Sequence, residues 1–171
     1  MRVKCEAQTN KQKYLNGEFE EKNVFLSKNR KAEDLLYESS ELYCMSRQSR
    51  NYLQRTDLES IGIARNENMK VLDEGIGQLQ SCEKAVKFES TSVPLYYPIY
   101  VKDRDKVQQY LQQHGVFAPV LWPKAEEMKA ELNIDVQYIY EHLLVLPCDQ
   151  RYSKYDMNRI VNLLMQLEMN K

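Results

Sequence analysis

Leu143-Leu-Val-Leu-Pro-Cys-Asp-Gln-Arg-Tyr152 decides the fold. Its first four residues form an unbroken apolar run of strand length, the pattern of a strand covered on both faces. Ser153-Lys-Tyr-Asp156 follows as a box-like helix start, with Asp in place of the usual Glu. A second stretch, Val93-Pro-Leu-Tyr-Tyr-Pro-Ile-Tyr-Val101, is equally rich in strand formers. Pro94 and Pro98 have no N–H to give a ladder, so this strand is predicted at a sheet edge or bulged near Pro98. Tyr96, Tyr97 and Tyr100 should alternate between faces, which places at least one in the core. A shorter run, Ala85 to Phe88, precedes it.

Between these strands, Asp103 can cap a helix that presents Val107, Tyr110, Leu111 and His114 on one face and stops at Gly115. His114 reads most simply as a last-turn residue favoured by the helix dipole, not as a catalytic group. Val116 to Val120 reads as another short strand, followed by Leu121-Trp-Pro123 and a polar helix over 124–132. The last helix carries Met157, Ile160, Val161, Leu164 and Leu167 on one stripe. The order β-β-α-β-α-β-α predicts an α+β fold, a two-layer sandwich of a small, mostly antiparallel sheet with helices, over residues 83–171.

Two long helices are predicted ahead of it, within 29–82. The first runs from about Lys31 to Leu53 and ends near Arg55. The second starts at the capping box Thr56-Asp-Leu-Glu59 and carries the stripe Leu58, Ile61, Arg65, Asn68, Leu72, Ile76 and Leu79, weakened by Gly75 and Gly77. Arg65 and Asn68 interrupt that stripe, so each either pairs with a neighbouring segment or marks a contact surface. Residues 1–28 hold no period and read as an irregular polar arm.

Lys and Arg number 24 against 25 Asp and Glu, which leaves no net field to draw the chain to nucleic acid or an anionic membrane. No stretch has the roughly 20 apolar residues of a membrane helix, and the N-terminus lacks the apolar run of a secretory signal, so the expected location is the cytoplasm. Cys5, Cys44, Cys82 and Cys148 form no CxxC pair and lie far from His114 and His142 for the most part, a spacing that favours reduced structural thiols over a zinc site.

Several segments together resemble one family. Met45-Ser-Arg-Gln-Ser49, Arg65-x-x-Asn68-x-x-x-Leu72, Tyr97-Pro-Ile-Tyr-Val101, Trp122-Pro123 and Leu146-Pro-Cys-Asp-Gln-Arg-Tyr152 with Asp156-Met157 resemble the C-terminal part of DegT/DnrJ/StrS-type sugar aminotransferases, which are fold type I pyridoxal-phosphate enzymes. The resemblance spans roughly residues 30 to 168. It implies that the Schiff-base lysine, the acid on the pyridine nitrogen and the phosphate loop belong to a preceding large domain for which this chain has no room. No cofactor is then expected on this chain alone, and it is not expected to transaminate by itself. The arm lysines Lys4, Lys11, Lys13, Lys22 and Lys28 stand in polar sequence and read as solvated.

The same resemblance nominates Arg151, Tyr152 and Trp122 as substrate-binding residues, with a sugar nucleotide as ligand only where a large domain completes the site. Each has a plainer reading. Arg151 can pair with Asp149 or Asp156, Tyr152 can pack on the sheet, and Trp122 can be a packed aromatic. Relatives often carry a histidine where this chain has Leu121, which puts sugar contact from that loop in doubt. The expected partners are a second copy of the chain or a separate large-domain chain. The alternatives to an aminotransferase region are a binding or regulatory module and one chain of a split enzyme.

Overall fold

Asp57 sets the start of the longest helix in the computed structural model, which describes residues 2–18, 21–38, 44–89, 91–121 and 133–169. Its backbone is extended and its carboxylate accepts the Ser60 N–H at 3.0 Å. The predicted cap was Thr56 with Glu59. A carboxylate one residue later is the stronger acceptor and also faces the positive end of the helix dipole.

The elements in chain order are α1 (Arg2–Leu15), α2 (Lys22–Glu38), α3 (Arg47–Gln54), α4 (Leu58–Ile76), β1 (Cys82–Lys84), β2 (Tyr96–Val101), α5 (Arg104–Gln113), α6 (Ile134–His142), β3 (Leu143–Pro147) and α7 (Lys154–Met169). The chain divides into two compact units, Met1–Arg55 and Thr56–Lys171.

In the first unit α1 packs on α2. The predicted irregular arm is therefore helical. Buried Ala7, Phe25 and Ala32, a Tyr14–Phe25 ring contact at 5.5 Å, and the ion pairs Lys4–Glu33 and Lys28–Glu6 join the two helices. The Gly17 turn, at φ 75°, divides the apolar residues into stripes too short to show a helical period. The single helix predicted over Lys31 to Leu53 is also interrupted. Cys44 to Ser46 are non-helical, and Ser46, extended at ψ 153°, caps α3 by accepting the Ser49 N–H. The helix does end at Arg55, its C-cap.

The second unit is an α+β fold around a three-stranded antiparallel sheet in the order β1-β2-β3. Tyr97, Ile99 and Val101 of β2 and Leu144 and Leu146 of β3 point into the main core. That core is closed by Met69, Leu72 and Ile76 of α4, Val107 and Leu111 of α5, and Met157, Ile160, Val161 and Leu164 of α7. Each fully buried side chain of this size contributes about 1.5–3 kcal/mol. Tyr100, on the opposite face of β2, meets Tyr138 of α6 with ring centroids 5.2 Å apart. β3 is buried from Leu144 onward, as its apolar run predicts.

β2 is the central strand, not an edge. Register explains how it tolerates Pro98. The Pro98 carbonyl accepts the Ala85 N–H at 3.3 Å, so its missing N–H faces the same side, just beyond the end of β1 at Lys84. The ladder to β1 stops where the donor is lost, which is also why Ala85 to Phe88 does not extend that strand.

Val116 to Val120 forms no strand, although Val116 and Ala118 are buried. The Ala118 carbonyl is taken by Gln108 Nε2 at 2.7 Å, and Pro119 has no N–H to pair. Asp103 precedes α5 without a side-chain cap bond, and Gly115, at φ 76°, ends it. α6, capped by Asn133 Oδ1 accepting from the Asp135 N–H, was not anticipated. Trp122, Pro123 and the helix predicted over 124–132 lie outside the described residues.

Gly75 does more than weaken α4. A Cβ there would meet the Val161 methyls at 2.5 and 2.6 Å, so α4 and α7 pack as closely as they do because residue 75 has none. Gly75→Ala gains about 1 kcal/mol of helix propensity but incurs an overpacking cost of about 1–3 kcal/mol. Urea unfolding is expected to show net destabilisation, relieved in the Gly75→Ala/Val161→Ala double variant relative to the sum of the single changes.

Candidate functional site

The turn between β3 and α7 collects most of the polar residues that the sequence singles out. Asn68, 2% exposed, points its amide at this turn. Nδ2 donates to the carbonyls of Tyr152 at 2.9 Å, Asp149 at 3.1 Å and Cys148 at 3.4 Å. Arg65, one turn earlier on α4, donates from Nε to Gln150 Oε1 at 2.8 Å. Both interruptions of the apolar stripe are thus paired within the unit, as buried polar groups require.

Arg151 is held by Asp149. Nε and Nη2 donate to the two carboxylate oxygens at 2.8 Å each, and the Arg151 N–H adds a third bond at 3.0 Å. Asp149 is buried while the Arg151 side chain is 70% exposed, so the pair is a carboxylate set in the wall with its guanidinium lying over it. The bonds from Arg151 hold the Asp149 carboxyl below the usual range, against the opposing effect of burial. Of the two acids considered for Arg151, Asp156 has another task. Its Oδ2 accepts the Ser153 N–H at 2.8 Å and the Ser153 hydroxyl at 2.7 Å, the box-like cap expected for α7. Both features that suit an anion, the guanidinium and the helix start, are answered by carboxylates of the chain itself.

Tyr152 is 38% exposed, with its ring centroid 5.7 Å from the Arg151 guanidinium carbon. Next to this turn Cys148 is fully buried, and burial, followed by the nearby Asp149 charge, pushes its thiol up to about 11. His114 sits at the end of α5, its Nδ1 2.8 Å from the Tyr110 carbonyl, in the place expected of a last-turn residue. Leu121 lines an apolar cleft of about 200 Å³ with Val120, Val136, Ile139, Tyr140, Leu143 and Arg104.

Asp73 and Lys84, which the sequence does not mark out, form a second polar group with Tyr97. Tyr97 Oη and Lys84 Nζ both donate to Asp73, at 2.7 Å each. Burial raises the Asp73 carboxyl, but these two bonds outweigh it and leave the group lowered. A cleft of about 190 Å³ beside them is lined by Met69, Lys70, Asp73, Glu74, Phe88 and Glu89. Here a lysine, carboxylates and an aromatic ring meet at a cleft, so it is a natural test for pyridoxal phosphate. The residues do not fit. Lys84 beside the cleft is committed to Asp73, and the one lysine in the lining, Lys70, stands against three carboxylates, Asp73, Glu74 and Glu89, where a phosphate would need an excess of cations. No group of three His, Cys, Asp or Glu side chains able to hold a metal occurs among the described residues.

No protein-family model matches the chain, and no curated protein matches it. Solved structures do. An aminotransferase of the DegT DnrJ EryC1 StrS type from Brucella abortus aligns with a TM-score of 0.55 at 17% identity, over 65% of this chain and 32% of that one. The chain has the fold of part of a sugar aminotransferase. The sugar aminotransferase CalS13 from Micromonospora echinospora aligns at 0.58 and 15% identity, over 67% and 32%. Spr1654 from Streptococcus pneumoniae, in its PMP form, aligns at 0.55 and 16%, over 66% and 32%. The chain spans about a third of the length of these aminotransferase-fold proteins. No helix among the described residues is long and apolar enough to cross a membrane.

Three outcomes follow from this geometry. Asn68→Ala removes the one donor shared by three carbonyls and is expected to cost about 1–3 kcal/mol in urea unfolding; Arg65→Ala, which loses a single partly exposed bond, costs less. For Asp149, whose folded pKa is depressed, the stabilisation is complete above the ordinary carboxylate value of about 4 and fades as pH falls through the lower folded value. The difference in unfolding free energy between the natural chain and Asp149→Asn should therefore be constant near neutrality and shrink in acid. In thiol titration of the native protein, exposed Cys5 and Cys44 should react at once and Cys148 only on unfolding.

Proposed function

We propose that this chain is the C-terminal, small-domain region of a sugar-aminotransferase-like protein of nucleotide-sugar metabolism, and that it does not transaminate alone. The observation that carries the reading is the fold that the chain shares with part of solved aminotransferases. Among the solved structures that match, CalS13 and Spr1654 are sugar aminotransferases, and the match covers about a third of their length and about two thirds of this chain. In this reading the cofactor chemistry belongs to a large domain outside the matched region. Transamination needs a lysine that forms the Schiff base and an acid that keeps the ring an electron sink, and the Lys84–Asp73 pair does not suit a phosphate-bearing cofactor.

In this reading Arg151 and Tyr152 mark the substrate side. Asp149 fixes the guanidinium so that its outer edge and the Tyr152 ring lie together at the surface, where a completed site would offer them to a sugar nucleotide. Trp122 is proposed for the same side on the strength of the sequence resemblance. The partner is a large-domain chain or a second copy, and the proposed location is the cytoplasm.

Addition of pyridoxal phosphate to the purified chain is expected to give no internal-aldimine absorbance. Borohydride treatment should then leave no pyridoxyl group on any single lysine by peptide mass spectrometry. A stoichiometric adduct on one lysine, abolished by its replacement with arginine, would overturn the reading.

A further inference from the structure

We draw no further inference here: the strongest candidate, the exposed apolar pair Val93 and Leu95 of the loop before β2, with Val93 beside Gly62 of α4, carries nothing because the structure does not show what covers it.

Discussion

One amide nitrogen holds the second unit's polar corner in place. Asn68 Nδ2 has two hydrogens and three carbonyl acceptors, two at good distance and one at 3.4 Å, so the backbone from Cys148 to Tyr152 must curl around a single point. Because α4 carries Asn68 on the same stripe as Met69, Leu72 and Ile76, the bonds that shape the turn share a helix face with the residues that close the core. The pose of Arg151 depends on that turn. Asp149 can grip the guanidinium from both sides only if its own backbone is fixed, and Asn68 fixes it.

A buried amide suits this role better than a buried charge. Desolvating an amide and satisfying its hydrogens costs far less than burying an ammonium or guanidinium, whose penalty is several kcal/mol before pairing. Among the described residues no Lys or Arg is fully buried, and one carboxylate, Asp149, is set into the wall beneath Arg151.

Much of the second unit could be read from single residues. Leu143 to Leu146 pointed to a strand buried on both faces, Gly115 to a helix stop, and Ser153 with Asp156 to a helix start; each is a local preference that the tertiary structure respects. Arg65 and Asn68 stood out because polar residues in an apolar stripe demand partners. What escaped was of three kinds. The caps at Asp57, Ser46 and Asn133 were chosen among neighbouring candidates by backbone geometry, which composition does not encode. The central position of β2 was hidden because a proline in a strand signals an edge until the side its nitrogen faces is known. The close approach of Gly75 to Val161 joins residues far apart in sequence, and a lone glycine in a helix reads only as a weakness.

The loss of a ladder bond at Pro98 reaches beyond the sheet's internal order. An outer strand of three residues offers a stray chain few free backbone groups to pair with, and short outer strands are one way natural proteins avoid joining sheet to sheet. By ending β1 at Lys84, a proline in the middle strand limits what the rim can recruit. The charged side chains of Glu83 and Lys84 add to that protection, since any strand laid alongside would have to accommodate them. A missing hydrogen inside the sheet thus acts at its border, as a guard against aggregation.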